Sequence, residues 1–191
     1  RESLPAPTTP ASAVRVDPGL VDDYVASLLA ALPRPARPPR VALTPVHGVG
    51  GDLCRRVLSA IGVHHVHLVT YQAAPHPDFP TVDSPNPERP GTTALLLDLA
   101  ARIDADVAIA LDPDADRCAV GYADPDGRWR MLDGDETGAV LADQLLREPL
   151  AGSGTAPDGR APVVASTIVS SRLPSLLVPA RGGRHVETLT G

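Results

Sequence analysis

Hydrophobic positions along the chain fall into two periods that alternate. Behind Asp17-Pro18, an N-cap pair with proline in the first helical position, Leu20, Val21, Tyr24, Val25, Leu28, Leu29 and Leu32 recur at helical spacing. They predict a helix over residues 18–32. A Pro/Arg cluster ends it and leads into a short apolar run, Val41-Ala42-Leu43-Thr44-Pro45-Val46, of strand type. Past a glycine turn, Leu53, Val57, Leu58 and Ile61 mark a second helix that Gly62 closes, and residues 66–69 read as a second strand. Residues 73–90 are irregular and proline-rich, which predicts a surface loop shaped by its prolines. Helical spacing resumes over residues 92–103, and the apolar run 107–111 predicts a buried strand.

Further on, residues 118–122 and 129–132 flank Asp124-Pro125-Asp126-Gly127 and read as a hairpin. A helix is expected from Gly134 to Leu146, a loop over 151–160, and a strand over 163–167. Pro179 should shorten or kink the helix expected after Ser171. Alternation of strand and helix predicts an α/β fold with mixed, mostly parallel sheets and helices on their faces. Ligands of such sheets sit beyond the carboxyl ends of the strands.

That placement makes the residues after the buried strand the candidate site. Asp112-Pro113-Asp114-Ala115-Asp116 sets carboxylates at alternating positions, and Arg117 follows at once. Carboxylates so close repel one another, and a hard cation such as Mg²⁺, which binds through one or two carboxylates, waters and a substrate phosphate, relieves the repulsion. Arg117 adds a fork suited to phosphate. A polar loop whose aspartates cap turns is the plainer reading. An EF-hand is excluded, since Arg117 and Ala123 stand where Gly and Glu are required. A P-loop is excluded because the chain has no lysine. Gly48-Val49-Gly50-Gly51 lacks the third glycine of a dinucleotide fingerprint, where Leu53 stands, and reads as a tight strand-to-helix turn.

Composition narrows the class. The 191 residues are 43% hydrophobic but only 3% aromatic, so the core must be aliphatic. With 17 basic and 23 acidic residues the chain gives no reason to expect nucleic acid or an anionic membrane as partner. Cys54 and Cys118 have no metal-ligand spacing, and no signal peptide or long apolar segment is seen; a cytoplasmic setting is expected. The proline-rich opening, without Met, reads as a linker, and the end at Thr190-Gly191, without a closing helix, as a break within a longer chain.

Several segments in one order resemble the α-D-phosphohexomutase superfamily, the phosphoglucomutases and phosphomannomutases. They are Thr44-Pro45-Val46-His47-Gly48-Val49-Gly50, Phe79-Pro80-Thr81, Pro85-Asn86-Pro87-Glu88, the acidic loop with Arg117, Gly134-Asp135-Glu136, Thr167-Ile168-Val169-Ser170-Ser171, and Glu187-Thr188-Leu189-Thr190-Gly191. Ala115 and the last two segments look most like the phosphoglucomutase/phosphopentomutase branch. The resemblance implies a linker over 1–13, the second domain of that family with its metal loop over 14–133, and the first part of the third domain over 134–191. The serine that carries the phosphoryl group and the domain that grips the substrate phosphate would lie in other domains of the same chain, in contact with these.

By the same resemblance, Asp112, Asp114 and Asp116 would hold Mg²⁺, with a phosphoryl oxygen as fourth ligand. Arg117 would contact that phosphoryl group, or else pair with a neighbouring Asp. Thr190 and Gly191 would begin a loop lining the sugar, or form a simple turn. His47 is read first as a satisfied histidine beside the glycine turn, second as a group near the metal. Ser84-Pro85-Asn86-Pro87 mimics the phosphoserine loop, but proline stands where histidine should follow the serine, so Ser84 is not assigned as phosphoacceptor. The substrate implied is a hexose or pentose phosphate, with the phosphoryl group moving between the 1- and 6- or the 1- and 5-positions. The competing class is a metal- or phosphosugar-binding module without turnover.

Overall fold

The computed structural model describes residues 17–147 and 161–190. The expected linker over 1–13, the loop over 151–160 and Gly191 lie outside the described residues.

Three strands form the parallel part of the main sheet: β1 (Val41–Thr44), β2 (Val66–Leu68) and β3 (Val107–Leu111). A hairpin, β4 (Cys118–Ala123) and β5 (Trp129–Met131), extends it antiparallel, giving the order β2-β1-β3-β4-β5. The strand period explains the layers. Val41, Leu43 and Leu111 point to one face, where Cys54 and Leu58 of helix α2 (Gly51–Ala60) pack. Ala42, Ala108 and Ala110 point to the other, where Leu96 and Ala100 of α3 (Pro90–Arg102) close on them. Alanines on that face let α3 lie close to the sheet, and Leu96 is fully buried there. Helix α1 (Leu20–Ala31) packs against α2.

After β5 come α4 (Gly134–Arg147), β6 (Val163–Thr167), α5 (Leu173–Ala180) and β7 (Arg184–Thr188), and β6 and β7 pair in parallel as a separate two-stranded sheet. Asp133 and Glu136 start α4 as a reciprocal cap: Glu136 N–H donates to Asp133 Oδ1 at 2.7 Å, and Asp133 N–H donates to Glu136 Oε2 at 3.1 Å. Asp143 ties α4 to α5, accepting from Arg181 Nε at 2.6 Å and pairing with Arg147 Nη2 at 2.8 Å.

The structure departs from the sequence expectation at several points. Asp17 does not cap α1; its Oδ1 accepts from Gly19 N–H at 2.9 Å in a turn before the helix starts at Leu20. The first strand stops at Thr44, because Pro45 has no N–H and Val46 is left-handed with φ 44°. Residues 184–188 form a strand where none was expected. Helix α5 ends one residue after Pro179, the shortening expected of it.

Candidate functional site

β1 runs to β2 on one side through α2, while β3 lies on its other side. The carboxyl ends of β1 and β3 therefore border the point where the strand order reverses, the crevice in which open α/β sheets bind ligands. Two loops meet there. One follows β1 and holds the glycine turn, and the other follows β3 and holds the aspartates.

The acidic loop is tightly closed. Asp112 is fully buried, and its carboxylate receives Arg117 N–H on Oδ1 at 3.0 Å and the Arg117 guanidinium on Oδ2, with Nε and Nη2 both at 2.9 Å. Its backbone oxygen accepts from Ala115 N–H at 3.0 Å, and Ala115 sits in the left-handed region with φ 61°. Around this knot Asp114 and Asp116 stand exposed, and carboxylate oxygens of Asp112, Asp114 and Asp116 lie within 4.8 Å of one another.

Electrostatics follow from the crowding. Burial pushes the Asp112 carboxyl up, but the Arg117 amide, Asp116 and the Arg117 guanidinium outweigh it and hold the group below its ordinary value. Asp116 moves the other way: sharing a hydrogen bond with Asp112 and facing the charges of Asp114 and Asp112 raises it. Asp112 holds the Arg117 guanidinium protonated beyond its usual range. One carboxylate that is difficult to ionise beside two others is the arrangement a divalent cation relieves, and an all-carboxylate donor set suits a hard one.

The glycine turn presses directly on this loop. A Cβ on Gly48 would lie 2.4 Å from Pro113 Cα, and one on Gly50 would lie 2.5 Å from Ala115 Cβ, so neither position admits a side chain. Val49 N–H donates to Pro113 O at 2.9 Å. The turn is thus a packing surface for the loop between Asp112 and Asp114, in accord with the reading that it cradles no dinucleotide. His47 is buried, and its Nε2 lies 2.9 Å from Thr81 Oγ1.

Asp112, Asp114, Asp116 and Arg117 are brought together. Thr190 is exposed beyond the end of β7. The Nε–Nη2 edge of Arg117 is occupied by Asp112, which is the pairing reading of that residue. Missed from sequence were Gln72, fully buried at the end of a single 3₁₀ turn (Thr70–Gln72), and its bonds to Thr44 and Thr81. A cleft of about 1020 Å³ between α3, β5 and the start of α4, bordered by Glu88, Arg130 and Ser170, does not include the acidic loop.

Fold and site together define an α/β/α domain with an acidic loop at its strand switch. The chain belongs to the phosphoglucomutase/phosphomannomutase family: the model of that family's alpha/beta/alpha domain II matches residues 22–127. It is 33% identical over 172 residues to a probable phosphomannomutase of Haemophilus influenzae, covering 90% of this chain and 34% of that protein. It is 36% identical over 149 residues to the phosphopentomutase of Mus musculus, covering 78% of this chain and 24% of that protein. A phosphoglucomutase/phosphomannomutase family protein of Burkholderia thailandensis shares the fold with TM-score 0.71 at 22% identity, over 90% of this chain and 33% of that one. This chain spans about a quarter to a third of the length of the curated relatives it matches.

Proposed function

We propose that this chain supplies the metal loop of a Mg²⁺-dependent phosphosugar mutase, an enzyme that moves a phosphoryl group between the 1- and 6- or the 1- and 5-positions of a sugar phosphate. The convergence of Asp112, Asp114 and Asp116 at the strand switch carries this reading. The relatives' names support it, since they include phosphomannomutase and phosphopentomutase. So does a structural neighbour that shares the fold at TM-score 0.54, the N-acetylphosphoglucosamine mutase of Aspergillus fumigatus in complex with GlcNAc-6P and magnesium.

Phosphoryl transfer depends mostly on positioning and charge neutralisation. When bound, the cation supplies Lewis-acid neutralisation of a phosphoryl oxygen. Asp112, fixed by Arg117, would present one oxygen in a set direction, and the exposed Asp114 and Asp116 would close on the ion from the solvent side. Arg117 would act twice: Nε and Nη2 orient Asp112, and the remaining nitrogen would be left to donate to the phosphoryl group. The phosphoryl carrier would be a serine of another domain docking over the acidic loop, whose open surface suits such a partner. Thr190 and Gly191 would begin the sugar-lining loop. A cytoplasmic setting is part of the proposal and rests on the two free cysteines.

The test is turnover by the protein that carries this chain. Glucose 1-phosphate and ribose 1-phosphate are offered with Mg²⁺ and with excess chelator. Conversion of either one, abolished by chelator and restored by Mg²⁺, is expected. Phosphosugar binding without conversion would leave a binding module, and turnover indifferent to chelator would remove the metal role.

A further inference from the structure

Two consecutive residues other than glycine, Val46 and His47, are left-handed with φ 44° and 59°. For a β-branched residue this is costly, and it persists only where surroundings enforce it. Here a polar chain does so, buried at Thr44, His47 and Gln72 and reaching the surface at Thr81. Gln72 Oε1 accepts from Thr44 Oγ1 at 2.6 Å, and Thr44 Oγ1 accepts from Val46 N–H at 3.1 Å. Gln72 O accepts from His47 N–H at 2.9 Å. Gln72 Nε2 donates to Thr81 Oγ1 at 3.0 Å, and that hydroxyl also meets His47 Nε2 at 2.9 Å. Residues from β1, the 3₁₀ turn and the proline-rich loop thus clamp the strained turn from both sides. The turn in turn holds Pro113 through the Gly48 contact and the Val49 hydrogen bond.

We infer that Gln72 and Thr81 are positioning residues for the acidic loop, acting through the Val46-His47 turn on Pro113, between the two aspartates. Gln72 is fully buried with both ends of its amide bonded, and such a group is costly to disturb by halves, because what is left behind loses its bonds without regaining water. The clamp also joins the loop over residues 73–90 to the cation-binding loop, so a change at Thr81 reaches Asp112 and Asp114 without touching them. The coupling stands on this geometry alone; its consequence for catalysis rests on the function proposed above.

Hydrogen exchange on the 191-residue chain tests the coupling. Thr81→Val keeps the shape and removes the hydroxyl, Thr81→Ser keeps the hydroxyl, and Gln72→Met removes the amide. In Thr81→Val the amides of Val49 and Arg117 should exchange about tenfold faster through local opening, while those of β1 and β3 keep their wild-type rates. Thr81→Ser should restore protection. Unchanged rates at Val49 and Arg117, a uniform acceleration across the sheet, or no rescue by serine would each overturn the inference, whether or not Gln72→Met folds. In the whole enzyme, Thr81→Val should raise the Mg²⁺ concentration for half-maximal turnover about tenfold, within the range seen for groups that orient metal ligands, with KM for the sugar phosphate unchanged. Faster exchange without that rise would keep the positioning inference and overturn the metal reading of the loop.

Discussion

The two carboxylates that stand exposed in the acidic loop differ from the one that is buried, and substitutions should separate their roles. Asp114 contributes its charge from an exposed position at the rim of the loop. Asp114→Asn should therefore keep the thermal midpoint of the wild type, while Mg²⁺-dependent turnover of the whole enzyme falls at least about 100-fold, the upper end of what losing even an outer partner of a metal ligand costs. Wild-type turnover would remove the metal assignment, and unfolding would favour the turn-capping reading. Arg117→Lys keeps the charge but loses the two-atom grip on Asp112, so both turnover and Mg²⁺ affinity should drop. If only Mg²⁺ affinity drops, Arg117 organises the loop and does not meet the phosphoryl group. The acidic loop was legible in sequence because like charges at alternate positions after an apolar run need a cause. The Gln72 clamp was not. Its members are polar residues 28 and 34 positions apart, which gain meaning only when folding brings them side by side.

Helices and strands with strong periods were legible because both of their faces are specified: β3 reads as an unbroken apolar run since it is buried between α2 and α3. β7 was hidden because Arg184-His185-Val186-Glu187-Thr188 carries a single aliphatic residue and pairs only with β6 among the described strands. Two contacts made by the helices can be tested by substitution. Leu96 on α3 is fully buried between Ala42, Ala108 and Ala110, so Leu96→Ala should cost about 2–5 kcal/mol in chemical denaturation. A smaller loss would mean that the sheet collapses into the gap. Asp143 bridges α4 to α5. The hydrogen bond from Arg181, then Arg147, lowers its carboxyl below the ordinary 3.8. A depressed folded value means that its contribution is complete above the unfolded value and is lost as pH falls through the folded one. Stability of the wild type relative to Asp143→Asn should accordingly be level from neutral pH down to about 5 and shrink below 4. A difference that grew on acidification would contradict the bridge.

Taken whole, the molecule presents its candidate site on an open face. Asp114 and Asp116 are exposed, and the acidic loop lies outside the cleft beside α3. Relatives named as mutases are three to four times as long as the matched stretch. The polypeptide of 191 residues should bind Mg²⁺ weakly, because on the proposed function one ligand would come from another domain and the exposed carboxylates must be ordered at an entropic cost. It should also show no conversion of glucose 1-phosphate above a blank. Titration calorimetry and a coupled assay check the two halves separately. Tight stoichiometric Mg²⁺ binding would show that the aspartates and their own waters complete the site, and the shared fourth ligand would then be wrong even if turnover were absent. Turnover by this polypeptide alone would place the phosphoryl carrier among its own residues, and Ser84, set aside for the proline after it, would become the first residue to replace.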